Sequence, residues 1–437
     1  MALTAEERRV VEGIAAGRDD LVELARRLIA FDTTAREPGR PAREEAHLQD
    51  FLAGRLRRAG AAAEVWEPAP EDVAGTALVP AALSFEGRPQ MVARRQGRGG
   101  GRDLLLNGHI DVVSSEPRER WSSDPNRPEV RDGQIYGRGA CDMKGGIASM
   151  VFAVEALAAA RVELAGDLIV CTVTDEESTG AGALAAVAHG VRAAAGIVPE
   201  PSGLDIQITC RGSLIPTITV EGRPGHAGIT QPHWRDGGAV NAIEKAELIA
   251  SAMRRLQAEW RDRADHRHHL LPPSDIVPVM ISGGEWFVSH PASCRLTYHV
   301  EFVPREGDDG WGRPVVDEIE DWIRRTAEVD PWLAQRPPAV DWGPTAPCSA
   351  VGVDEPIVDT LAGCGRDVGR PGRINGNENW HDGATFTRVG GTPCVSFGPG
   401  DVRLAHMIDE HVPVDDLVGC AQALALAAMR FCRPCGP

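Results

Sequence analysis

Three short apolar runs, each ending in residues that bind metals or move protons, constrain the fold of this chain more than anything else in it. Residues 104–106 are all leucine and run into Asn107-Gly108-His109-Ile110-Asp111. Residues 167–174 (DLIVCTVT) run into Asp175-Glu176-Glu177, and residues 196–199 end at Glu200. Ala-rich helical patterns at 145–160 and 182–189 separate them. Buried strands alternating with helices predict a largely parallel sheet covered by helices on both faces. In such a sheet the functional crevice lies beyond the carboxyl ends of the strands. The sequence therefore predicts that His109, Asp111, Glu176, Glu177 and Glu200 share one rim. His406, after a late strand at 393–397, is expected to join them, as is Asp142, which opens the helix after Tyr136-Gly137-Arg138-Gly139.

The flanking pattern predicts one helix over 5–31, another over 43–59, a strand at 63–66 and a closing helix at 415–431. The Arg- and Gly-rich stretch 86–102 reads as an exposed hairpin or loop. From about residue 211 the character changes. Strand 214–220, helix 241–261, strands 276–281 and 296–303, helix 315–327 and a strand near 340 give the order β-α-β-β-α-β. That order suits a ferredoxin-like α+β sandwich inserted into the α/β domain. The expected bounds are 211–329 for the insertion, with 1–210 and 330–437 forming the α/β domain.

The 437 residues carry 46 Lys+Arg against 63 Asp+Glu, a formal net charge of −17. This acidic balance argues against a nucleic-acid surface, which needs a basic face. No stretch reaches 18 apolar residues, so no membrane span is expected. The first 20 residues lack the apolar core and cleavage site of a signal peptide. Ten cysteines scattered from Cys141 to Cys435 read as buried, reduced thiols of a cytoplasmic protein. Cys432 and Cys435 form a lone C-x-x-C without further ligands. Lys144 and Lys245 are the two lysines of the chain, and a structural salt bridge is expected of Lys144. His266, His268 and His269 are read as surface loop.

Histidine and carboxylate together suit zinc and related divalent ions. One His and one terminal carboxylate per ion, with a shared carboxylate between, would make a two-metal clamp that polarises a carbonyl and activates a bridging water. A spare carboxylate is then needed as general base. Glu176 and Glu177 are adjacent, so one faces a metal while the other faces the water. Each residue alone has a plainer reading: a hydrogen-bonded strand-end His, a helix N-cap at Asp142, turn chemistry at Glu200-Pro201, a solvated acidic helix start at 175–177.

Asn107-Gly-His-Ile-Asp111 and Tyr136-Gly-Arg-Gly-Ala-Cys-Asp-Met-Lys-Gly-Gly146 resemble the paired signatures of the aminoacylase, acetylornithine deacetylase, succinyl-diaminopimelate desuccinylase and glutamate carboxypeptidase family of two-zinc metallohydrolases. Asp175-Glu-Glu177, Pro199-Glu-Pro201 and Gly398-Pro-Gly400 with Ala405-His406 complete the set in order. The resemblance spans about residues 20–431. It implies two divalent ions, zinc with cobalt or manganese as substitutes. Asp142 would bridge them, with His109 and Glu200 on one ion and Glu177 and His406 on the other. Glu176 would be the general base, and Asp111 would orient the His109 ring. Gly222-Arg-Pro-Gly-His-Ala-Gly228 resembles the family's lid motif. It implies that His226 steadies the oxyanion of a neighbouring active site across a homodimer formed through the lid. Asn241 resembles a lid Asn that faces substrate; it serves equally as a helix cap. The implied reaction is removal of an N-acyl group from an amino acid or related amine, with metallo-exopeptidase or dipeptidase activity as the alternative.

Two departures bear on the substrate. Many relatives carry a carboxylate-binding Arg in the lid strand, whereas this strand reads Tyr298-His-Val-Glu-Phe-Val-Pro-Arg305, with Arg305 displaced. Trp380 and His381 stand where relatives have small residues, which predicts a bulkier, more aromatic pocket edge.

Overall fold

The computed structural model describes residues 2–35, 41–73, 83–305 and 308–434. The chain divides into two compact units. Met1–Cys210, Ser349–Asn377 and His381–Pro437 make the first; Arg211–Cys348 and Glu378–Trp380 make the second. Residues 330–348, expected in the α/β domain, fall in the second unit. The reason is that Ala339–Asp341 pairs with Thr217–Glu221 and so completes that unit's sheet.

The first unit is built on a nine-stranded mixed sheet. Its centre is four parallel strands in the order Leu168–Val173, Leu104–His109, Ala195–Pro201 and Cys394–Gly398. Every residue of these four is buried. Burial from both sides is why they read as continuous apolar runs. Lys144–Ala159 and Val414–Phe431 pack on one face of the sheet. Ala181–Ala188 and Gly383–Arg388 cover the other, where Ala183, Ala186 and Phe386 meet Leu105, Ile169 and Val198.

Two expectations need correction here. The stretch 86–102 is not all loop. Gln90–Arg95 is a strand paired antiparallel to both Leu168–Val173 and Ala62–Trp66. Met91 and Ala93 face the core while Arg94 reaches solvent, an alternation that the arginines obscure in the sequence. The expected helix over 5–31 is two, Ala5–Ala16 and Arg18–Ile29. Between them Gly17 approaches Phe152 so closely that a Cβ there would lie 2.8 Å from the ring. Thr4 and Glu7 close a reciprocal capping box at the first helix's start.

The second unit has a six-stranded antiparallel sheet containing Ala339–Asp341, Thr217–Glu221, Ser293–Phe302 and Asp275–Gly283 in that spatial order. Helices Ala242–Asp262 and Arg313–Glu328 bury Ile249, Met253, Leu256, Ile319 and Ile323 against Ile218, Val220, Leu296 and Val300. One residue in two of Ser293–Phe302 enters this core, the alternation of a sheet covered on one side. His266 corrects the surface-loop reading. It is fully buried, stacked on Trp260 at 4.2 Å, with Nε2 3.3 Å from Glu318 and 2.9 Å from an Arg305 nitrogen. His268 is half-buried and His269 exposed.

Candidate metal centre

Asp142 lies just before helix Lys144–Ala159, and Gly146 seats that helix. A Cβ at 146 would fall 2.1 Å from the Pro199 carbonyl oxygen, so glycine alone allows this approach to the strand carrying Glu200. His109 ends the neighbouring strand. Its Nε2 lies 3.1 Å from Asp142 Oδ1 and 3.6 Å from Glu200 Oε1. His406, after strand Cys394–Gly398, places Nε2 3.4 Å from Asp142 Oδ2 and 3.1 Å from Glu177 Oε2. The structure thus brings together His109, Asp142, Glu177, Glu200 and His406. One carboxylate faces two histidines, each with a further carboxylate. Atoms of His109, Asp142 and Glu177 fall within 4.8 Å of one another, close enough to hold one ion.

Asp111 supports this group through both main chain and side chain. Its main-chain carbonyl accepts from His109 Nδ1 at 2.9 Å, which fixes the ring so that Nε2 faces Asp142. Its carboxylate instead accepts from the backbone N–H groups of Glu176 (3.3 Å) and Glu177 (3.0 Å). Asp175, at a φ of 65°, begins that turn and pairs with buried Arg88 at 2.9 Å. Glu176 is partly buried beside this cluster.

The electrostatics show what the arrangement demands. Burial raises Glu176 and Glu200 well above the usual carboxylate range; His109 opposes this, and neighbouring carboxylates add to it. Burial and the charge of Asp142 also raise Glu177. Hydrogen bonds to Asp142 and Glu177 push His406 up to about 10. Burial opposes ionisation of Asp142, yet its two histidine partners keep its carboxyl below the ordinary range. Protonated imidazoles thus neutralise the acids where a cation would. Glu200 Oε1 is buried and meets no hydrogen-bond donor among the described residues. Two imidazoles and three carboxylates are a donor set that suits zinc-like divalent ions.

The other expected residues lie apart from this cluster or in the second unit. His381 is buried in the first unit, where its Nδ1 accepts from Gly383 N at 3.1 Å and burial lowers it to about 4. Trp380, His226 and Asn241 belong to the second unit. The Trp380 indole N–H is buried and finds no acceptor among the described residues. His226 is exposed and its Nδ1 accepts from Gly228 N at 3.0 Å. Asn241 caps helix Ala242–Asp262, accepting from Ile243 N at 2.9 Å. Lys144 is buried and donates to the Phe31 carbonyl at 2.8 Å. The nine described cysteines are buried; Cys435 lies outside the described residues.

Two residues escaped the sequence reading. Asp382 is buried, and neither of its oxygens meets a donor among the described residues. Burial pushes it up to about 8 against the pull of His109. Glu410 is buried beneath Asp142. Its place four residues after His406 was the available signal.

A mixed sheet whose strand ends gather two imidazoles and three carboxylates points to a class, the metal-dependent hydrolases. Residues 105–430 match the model of Peptidase family M20/M25/M40, and the chain belongs to that family. The chain is similar to the N-formyl-4-amino-5-aminomethyl-2-methylpyrimidine deformylase of Bacillus subtilis, 31% identical and covering 92% of each chain. It is also similar to the acetylornithine deacetylase of Myxococcus xanthus, 31% identical over 93% of this chain and 96% of the other. Among solved structures, aminopeptidase PepT from Bacillus cereus shares the fold, with a TM-score of 0.71 and 18% identity over 94% of this chain and 98% of that one. The chain is a metallohydrolase of amide bonds, with deacylases and peptidases among its relatives.

Proposed function

We propose that this chain removes a small N-acyl group from an amine, using two divalent ions bridged by Asp142. The observation that carries the reading is the placement of His109 and His406 against opposite oxygens of that one carboxylate. His109 and Glu200 would hold one ion, Glu177 and His406 the other, with zinc the fitting metal and cobalt or manganese able to replace it. Ions held there would supply Lewis acidity for the scissile carbonyl and for an attacking water. Glu176 takes a proton from that water as its oxygen attacks the carbonyl carbon. It returns the proton to the nitrogen as the C–N bond breaks, giving an acid and a free amine. The high pKa of Glu176 suits a group that must both accept and release a proton.

The amine is proposed to need no carboxylate. Arg305 is committed to Asp265 (3.5 Å) and His266 (2.9 Å). Glu301, in the strand just before it, pairs with Arg211 at 2.6 Å. The deformylase relative acts, by its name, on an N-formylated aminopyrimidine, and Trp380 and His381 are the residues proposed to contact a substrate of that aromatic kind. Turnover of N-formyl and N-acetyl amines, N-acyl amino acids and dipeptides on one metal-assayed sample tests this. Preference for dipeptides would favour the exopeptidase alternative.

The second unit is proposed to act as a lid that joins two copies into a homodimer. Strand Asp275–Gly283 leaves Val277, Val279, Met280 and Ile281 exposed, and an exposed apolar edge strand is a template for pairing. His226 would then steady the oxyanion in the partner's site, with Asn241 facing substrate beside its capping role. A cytoplasmic location belongs to the same reading. Among the described residues no helix is long and apolar enough to cross a membrane.

A further inference from the structure

Arg138 and Glu410 are two charged side chains with 3% and 0% exposure, joined at 2.5 Å. Full burial of both charges is costly unless every polar atom is used. Arg138 Nε finds no acceptor among the described residues, while the other atoms of the pair hold the metal-ligand loops. Glu410 Oε1 accepts two consecutive backbone N–H groups, from Cys141 at 2.8 Å and from Asp142 itself at 3.1 Å. A second Arg138 nitrogen donates to the Ser114 carbonyl at 3.1 Å and reaches the His406 carbonyl at 3.5 Å. The two segments are also tied by main chain: Gly137 N donates to the Glu410 carbonyl at 3.0 Å, and His411 pairs with Tyr136.

We propose that Glu410 is the positioning residue of this centre, fixing Asp142 from below and, through Arg138, the loop that carries His406. This rests on the reading of Asp142 as the shared metal ligand. The Asp142 oxygens sit 3.1 and 3.4 Å from two different imidazoles, so a backbone shift of about 1 Å would spoil both contacts at once. One carboxylate accepting the N–H groups of residues 141 and 142 removes that freedom. Its charge also strengthens both hydrogen bonds. The Arg138–Glu410 pair thus couples the shared ligand to a ligand more than 260 residues away in sequence.

The test uses metal-free full-length protein: wild type, Glu410→Gln and Glu410→Ala. Zinc affinity is measured by competition with a chromophoric chelator, and the fold by far-UV circular dichroism. Gln keeps the acceptor oxygen but loses the charge, so it should weaken zinc binding about 10-fold, and Ala by about 100-fold, the range seen when a residue supporting a ligand is lost. Both variants should keep the wild-type spectrum. A folded Glu410→Gln protein that binds zinc within about twofold of wild type would overturn the proposal. If Glu410→Ala fails to fold, Glu410→Gln decides alone. Wild type that takes up no zinc would instead remove the two-metal reading, a separate failure visible before any variant is compared.

Discussion

Asp142 Oδ1 lies 3.1 Å from His109 Nε2, while the other oxygen of the same carboxylate is given to His406 at 3.4 Å. A helix N-cap or a surface acid would not be divided between two imidazoles from separate strand ends. Replacing Asp142 with Ala should reduce zinc to one ion or none per chain and cut turnover by at least about 100-fold. Elemental analysis and assay of the same sample check both. Two retained ions would contradict the shared-ligand role.

Metal removal should destabilise the protein as well as silence it. The carboxylates of Asp142, Glu177 and Glu200 converge there, and an ion that binds only the folded state adds about 2.7 kcal/mol at 100 times its dissociation constant. Thermal unfolding after chelation should begin at a lower temperature and recover with added zinc. An unchanged transition would argue that the cluster is satisfied by its own protons.

His266 makes the second unit sensitive to acid. Burial and the adjacent Arg305 charge lower its pKa to about 4, against an ordinary 6.5. Between these values the unfolded chain binds the proton and the folded one does not. This stability is complete above pH 6.5 and declines as the pH falls toward 4. Denaturant unfolding should therefore show wild type losing more stability between pH 7 and pH 4.5 than His266→Gln. Equal losses would mean the imidazole already carries its proton when buried.

The exposed edge of the second unit gives a mutational test of association. Met280 and Ile281 are about two-thirds exposed. Charged replacements there should leave the monomer folded while breaking edge pairing. Sedimentation should show a dimer for wild type and a monomer for a Met280→Lys, Ile281→Lys double variant, with activity falling if His226 works across the interface. A monomeric wild type would remove the trans role of His226.

The strand ends that gather the candidate ligands are legible because a parallel sheet announces itself as short, wholly apolar runs, and polar residues fall at their ends. His109, Glu176, Glu177 and Glu200 are read off in that way. His406 needed the late strand as well. What stayed hidden depends on contacts distant in sequence. The core face of Gln90–Arg95 is masked by two arginines: Arg94 reaches solvent, and Arg95, on the face of buried Met91 and Ala93, turns its guanidinium to the Val162 carbonyl. His266 looked like surface because nothing local shows that Trp260 and Arg305 will enclose it. Asp382 carries no local signature of burial, and Glu410 only its nearness to His406 in sequence. Asp111 contacts the His109 ring through its main-chain carbonyl, while its carboxylate holds the next turn, a division of labour that residue type alone does not disclose.

The central claim is that Glu176 moves the proton in a two-metal amide hydrolysis. The most direct measurement is turnover of Glu176→Gln on an N-formyl amine, with metal content determined on the same preparation. The account predicts two ions per chain and a rate reduced by about 10²–10⁴-fold, since the amide keeps the shape of the side chain but cannot take the proton. Full turnover with both ions bound would contradict it.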